Sequence, residues 1–305
     1  MSASSIDIPP ALARHILSGL GEHGARWLRD LPALLADFSE RWGLRLGPPF
    51  ELSFNCVVPA RLRDGTEAVL KVGPWEEELG REIEALRLYD GAGICRLLSA
   101  DVPHRAMLLE RLRPGTMLLD VAARDDDAAT RIGADVMCRL WRPVEALPDP
   151  TRFRPLAEWF CAFERHRAEY SGPGPFPSAV LDRAEAIARD LLASAPRTVL
   201  LHGDFHHYNV LAAERSPWLA IDPKGMLGDP GYEVGPFLLN PRGPLKSGAL
   251  LRRRLDVLAE ELPYDWERLR QWGVAHAVLS ACWSAENHGD GWQNAVAMAE
   301  TLIGL

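Results

Sequence analysis

Cysteine is scarce in this chain and follows no pattern. Cys56, Cys95, Cys138, Cys161 and Cys282 are scattered, odd in number and never spaced C-x-x-C. That gives no support to a zinc site and fits buried thiols in a reducing cytoplasm. Positive charge is short too: 34 Lys and Arg against 42 Asp and Glu leave a formal net charge of −8. A general nucleic-acid binder needs a basic face to displace counterions, so that class is excluded. A cationic small-molecule partner suits the balance better. No apolar run approaches the ~20 residues of a membrane span, so no membrane partner is expected. The first residues, MSASSIDIPPALAR, lack a basic start followed by an apolar core, and the expectation is a cytoplasmic protein. No internal repeat, low-complexity segment or G-x-x-x-x-G-K-[ST] is present, which excludes a P-loop nucleoside triphosphatase. What remains is ordinary globular material, 47% hydrophobic and 25% charged over 305 residues, enough for one large domain or two lobes.

Trp27, Leu28, Leu31, Leu34, Leu35 and Phe38 recur at helical spacing and predict one helix over 10–42. FNCVVPARL and TEAVLKVG are β-branched runs joined across Asp64-Gly65, a hairpin signal. Leu79, Ile83 and Leu86 predict a helix that Gly91 is placed to end. ICRLLSA and RAMLLERL predict two more strands. After a bend at RPGT the pattern turns helical, near 126–141, 154–170 and 178–194. Short strands follow at RTVLLHGD, YNVLAA and WLAID, then three helices beyond residue 247. The predicted class is α+β, with a small β-rich N-terminal lobe over 1–111 and a larger, mostly helical lobe over 112–305.

The chemistry concentrates in HGDFHHYN and AIDPKG. Asp204 follows an apolar run, Asn209 comes five residues later, and Asp222 follows the run WLAI. Two carboxylates and an amide, each at the end of a strand-like segment, form a hard-oxygen set suited to Mg²⁺ and phosphate oxygens. One carboxylate left off the metal is then available to accept a hydroxyl proton. The spacing matches the H-R-D-x-x-x-x-N and D-F-G elements of phosphoryl-transfer sites. A rival reading takes H-x-D-x-H-H as transition-metal ligands of a hydrolase.

The stretch LLHGDFHHYNVLAAERSPWLAIDPKGMLGDPGYEVGPFLLNP resembles the aminoglycoside phosphotransferase family, in its streptomycin 6-kinase and hydroxyurea phosphotransferase branch. DPKG and GDPGYE are branch-like features, and EAVLKVG, LLERLRPGT and the helical tail look similar as well. The resemblance implies a protein-kinase-like two-lobed fold that moves the γ-phosphate of ATP, with GTP as an alternative, to a small-molecule hydroxyl. It implies Asp204 as catalytic base, with Asn209 and Asp222 as Mg²⁺ ligands. A streptomycin-type aminoglycoside is the leading acceptor, with hydroxyurea or an endogenous sugar or amino alcohol as alternatives. A catalytically silent nucleotide-binding regulator is the reading from another class.

Lys71, at the end of a strand, fits the phosphate-binding lysine of such a fold. Glu82 on the following helix is its candidate partner, with Glu78 and Glu84 as neighbours that spacing cannot separate from it. LLERL resembles the adenine-binding hinge, to which Glu110 and Leu112 would contribute main-chain atoms. Ser53, with Phe54 and Asn55, stands where a glycine-richer phosphate loop is usual in the branch. His202 reads as a scaffold residue, while His206 and His207 read either as facing substrate or as inert loop residues. Lys224 reads either as neutralising phosphate charge or as pairing with Asp222 or Asp229. Asp229 and Glu233 read as fixing the loop after Asp222, with substrate contact or a helix cap as further roles for Asp229. Glu286 and Asp290 are the acids expected to pair with acceptor guanidinium groups.

Overall fold

The computed structural model describes residues 7–51, 54–170, 174–241, 246–286 and 291–305. Ser53 and Asp290 lie outside the described residues. Contacts divide the chain into two units, Met1–Gly91 with Cys95–Leu112, and Ala92–Ile94 with Arg113–Leu305.

The first unit grows from the Asp64-Gly65 hairpin. Its elements run α1 (Pro10–Arg41), β1 (Arg45–Leu46), β2 (Cys56–Arg61), β3 (Glu67–Val72), α2 (Glu76–Tyr89), β4 (Leu97–Asp101) and β5 (Ala106–Glu110). The five strands pair antiparallel in the order β1-β2-β3-β5-β4, which puts β3 at the centre. Leu12, Ile16, Trp27, Leu31, Leu35 and Phe38 of α1 bury against Val58, Leu70 and Leu108 of the sheet. Each such side chain taken from water contributes about 1.5–3 kcal/mol. The single helix read over 10–42 needs correction, because Gly21 breaks it at φ 50 and ψ −125. Glycine reaches that region without a Cβ penalty, so an apolar periodicity continues across a break it does not record. The end of α2 differs from expectation by one residue: Asp90 takes the left-handed conformation first, and Gly91 follows.

The second unit contains β6 (Pro114–Met117), α3 (Leu118–Ala122), α4 (Asp126–Leu140), β7 (Arg142–Pro143), β8 (Arg154–Pro155), α5 (Ala157–Glu169) and α6 (Ser178–Ala193). Then come β9 (Val199–Leu201), β10 (Val210–Ala213), β11 (Trp218–Ala220), β12 (Met226–Gly228), α7 (Val234–Leu239), α8 (Gly248–Glu261), α9 (Trp266–Glu286) and α10 (Trp292–Gly304). The apolar runs around the motifs become two small sheets, β11-β10-β6 and β7-β9-β12-β8. Every residue of β9 is buried. The helical mass packs on α9, most of whose length from Leu269 to Ala285 is buried.

Candidate active site

In the first unit, Lys71 lies on β3 with Val57 and Met107 as its cross-strand partners. Its Nζ donates to Glu82 Oε1 at 2.7 Å and Oε2 at 2.6 Å, and both side chains are buried. Glu82 shares the inward face of α2 with Leu79 and Leu86, three and four residues away. Glu84 is instead paired with Arg87. The geometry therefore puts Glu82 on Lys71 and gives Glu84 a partner on its own helix. At the end of β5, the Glu110 N–H already donates to the Arg96 carbonyl, so that amide is not available to a base.

In the second unit, the loop between β9 and β10 is held from three sides. Glu233 accepts the N–H groups of His202 at 2.6 Å and Gly203 at 3.2 Å. His202 Nε2 donates to the Ile221 carbonyl at 2.8 Å, and its Nδ1 accepts from the Asp204 N–H at 3.2 Å. Those two bonds fix one neutral tautomer, and burial pushes the imidazole down to about 4. The Lys224 N–H donates to the His202 carbonyl at 2.6 Å, and the Ile221 N–H to the Asn209 carbonyl at 2.9 Å. These bonds bring the Asp222 segment against the Asp204–Asn209 loop.

Asp204 projects from this clamped loop with its side chain 38% exposed. Burial opposes its ionisation, but His206, Lys224 and His202 outweigh that and hold the carboxyl well below the usual carboxylate range. His206 Nε2 stands 3.4 Å from Asp204 Oδ1 and 3.4 Å from Asn209 Nδ2. Asn209 Nδ2 donates to the Asp204 carbonyl at 3.0 Å, which leaves Oδ1 as the amide's lone-pair donor for a cation. Asp222 adopts φ 63, a left-handed conformation that costs a non-glycine residue about 1–3 kcal/mol and recurs at functional sites. Among the described residues no three His, Cys, Asp or Glu side chains group to hold a metal by themselves. The donor set is one amide and one carboxylate, which fits Mg²⁺ completed by phosphate oxygens and water.

Several expected contacts are corrected. His207 does not face a substrate: it is wholly buried, stacked on Phe237 at 4.2 Å, and burial pushes it down to about 2. With His202 turned to Ile221 and His207 to Phe237, the histidines diverge, and the H-x-D-x-H-H metal reading fails on geometry. Asp229 is not a substrate residue either. It is buried, accepts from Gly231 N–H at 2.8 Å and Trp272 Nε1 at 3.3 Å, and pairs with Arg268, so it caps the short turn Pro230–Glu233. Glu286 is engaged by Arg165 through two bonds, at 3.0 and 3.2 Å, so the guanidinium it meets belongs to this chain. Arg268 and Trp272 were not anticipated, since they reach Asp229 from about forty residues downstream and carry no local signal.

Comparison with known proteins gives the family and the fold. Residues 47–288 match the family model described as aminoglycoside/hydroxyurea antibiotic resistance kinase. The hydroxyurea phosphotransferase of Kitasatospora aureofaciens is 37% identical over 98% of this chain and 86% of its own. The streptomycin 6-kinase of Streptomyces glaucescens is 36% identical over the whole of both chains. The crystal structure of a thermostable mutant of aminoglycoside phosphotransferase APH(4)-Ia, as a ternary complex with ADP and hygromycin B, superposes with a TM-score of 0.63 at 18% identity. It covers 88% of this chain and 97% of that one. The fold is thus the protein-kinase-like α+β fold.

Proposed function

Because the chain belongs to the aminoglycoside/hydroxyurea antibiotic resistance kinase family, we propose that it transfers the γ-phosphate of ATP to a hydroxyl of a streptomycin-type aminoglycoside. The observation that carries this reading is the Asp204 carboxylate, open to solvent and kept ionised on a loop clamped by Glu233, with Asn209 and Asp222 tied beside it. Lys71, oriented by Glu82, holds the α- and β-phosphates of the nucleotide. Asn209 Oδ1 and the Asp222 carboxylate hold Mg²⁺, which when bound supplies charge neutralisation for the triphosphate.

Asp204 accepts a hydrogen bond from the acceptor hydroxyl and aligns its oxygen with the γ-phosphorus. The new O–P bond forms as the bond from phosphorus to the β–γ bridging oxygen breaks, and ADP leaves with that electron pair. The hydroxyl proton passes to Asp204. So acidic a carboxyl is a weak base, which suits a loose phosphoryl transition state in which the proton moves late. Positioning and base action together supply roughly 10²–10⁴-fold.

A second acceptor has a specific observation behind it. The hydroxyurea phosphotransferase relative is as similar as the streptomycin 6-kinase. ADP release measured with streptomycin, hydroxyurea and a panel of polyols separates the two, with the product identified by mass. The reading expects streptomycin-dependent release; release that no acceptor stimulates refutes it.

A further inference from the structure

The clamps on the loop between β9 and β10 end at its backbone. Glu233, His202 and the Lys224 N–H fix the chain around Asp204, but its carboxylate keeps two side-chain torsions. Among the described residues, one polar side chain reaches that carboxylate: His206 Nε2 lies 3.4 Å from Asp204 Oδ1. The histidine is itself held twice by Asn209. The Asn209 N–H donates to the His206 carbonyl at 2.9 Å, and Asn209 Nδ2 lies 3.4 Å from His206 Nε2. Asn209 is in turn tied to the Asp204 carbonyl at 3.0 Å. One imidazole nitrogen thus touches both the carboxylate and the amide of the loop.

Two simpler roles account for less. Packing is one, since the imidazole meets Tyr208 edge-on with ring centres 5.6 Å apart. A ring that only packs needs no nitrogen, yet His206 Nδ1 is buried without a partner, which is unfavourable. Direct contact with substrate is the other. The His206 side chain is 15% exposed against 38% for Asp204, so the imidazole is covered where the carboxylate is open. What the position does offer is a fixed neighbour for one carboxylate oxygen. That matters because a misplacement of about 1 Å at a reacting group can cost roughly 10²-fold in rate.

Resting on the phosphotransfer reading above, we propose that His206 is a positioning residue whose Nε2 engages Asp204 Oδ1 and leaves Oδ2 for the acceptor hydroxyl. Shape tests which nitrogen matters: a Gln side chain carries its amide to the Nε2 position, an Asn only to the Nδ1 position. His206→Phe keeps a ring beside Tyr208 and lowers kcat roughly 10²-fold. His206→Asn lowers it as far, whereas His206→Gln recovers to within about fivefold of wild type. KM for ATP and for streptomycin stays within about threefold in all three, because His206 acts through Asp204 and touches neither substrate. ADP affinity by calorimetry and thermal midpoints by circular dichroism confirm that the variants fold.

Wild type and Asp204→Asn are assayed alongside. A wild type that phosphorylates no acceptor overturns the phosphotransfer reading itself. An active wild type, a slowed Asp204→Asn and a His206→Phe with kcat within about threefold of wild type remove His206 alone. Equal losses from Gln and Phe also overturn the proposal, since they mark the shape of the imidazole rather than its Nε2 contact. A raised KM at unchanged kcat does the same, because it marks contact with substrate.

Discussion

Lys71 and Glu82 show at the scale of single residues how a buried charge is made tolerable. Two short bonds join the pair, and both side chains are buried. Removing one leaves an uncompensated buried charge, which typically costs 3–5 kcal/mol, whereas replacing both by apolar groups is close to neutral. Lys71→Met alone should therefore lower urea stability by about 3–5 kcal/mol. Lys71→Met with Glu82→Leu should recover most of that while nucleotide binding stays lost. A double variant as unstable as the single would show that the pair is not the source of the cost. Glu82 was readable only as one of three acids, because helical spacing gives a face and not a partner. The Asp204–Asn209–Asp222 set was more legible, since apolar runs fix the strand ends from which those side chains project. His207 was not. Polarity argues for exposure, yet Phe237, thirty residues on, supplies the ring that covers it.

The Asp204–Asn209 loop is an element without periodic structure, and its shape depends on bonds from elsewhere in its unit. Glu233 takes two of its buried N–H groups, and burial pushes that carboxyl up to about 8. It is thus largely protonated at neutral pH, so Glu233→Gln should keep most activity. Glu233→Ala orphans both N–H groups at about 1–3 kcal/mol each and should lose stability and kcat together. Equal damage from Gln and Ala would show that charge, not the acceptor, matters. The same groups shape the pH dependence. His202, His207 and His276 titrate at about 4, 2 and 4 when folded, against about 6.5 unfolded. As pH falls below 6.5 the unfolded chain takes up protons the folded chain refuses, so stability drops. Glu233 acts the other way: folded, it keeps its proton up to about 8, and its contribution is lost as pH rises from 4.5 to 8. Urea midpoints should therefore peak near pH 6.5, and Glu233→Gln should flatten the alkaline side only. A peak displaced to pH 5 would contradict the buried-neutral histidines. Most helices and strands here could be located from periodicity, because burial against a sheet or α9 imposes it. Gly21 could not, since a break leaves the apolar rhythm intact on both sides.

At the scale of the whole molecule, −8 net charge favours attraction of a cationic acceptor, and that attraction weakens with salt over a Debye length of about 10 Å at 0.1 M. The KM for streptomycin should accordingly rise with ionic strength while that for an uncharged polyol stays flat; parallel changes would remove electrostatics from acceptor choice. Fold and reaction type were legible because the motifs sit in a strand context that few folds supply. The acceptor was less so, because Glu286, the acid expected to recognise it, is already paired with Arg165. The most direct measurement follows the phosphate itself. Streptomycin and ATP are incubated with wild type and with Asp204→Asn, and both products are quantified by phosphorus NMR. The account predicts equal amounts of ADP and phosphorylated streptomycin from wild type, and a rate about 10²–10⁴-fold lower from Asp204→Asn with ATP affinity nearly unchanged. Undiminished transfer by Asp204→Asn, or ADP without any phosphorylated acceptor from wild type, would contradict it.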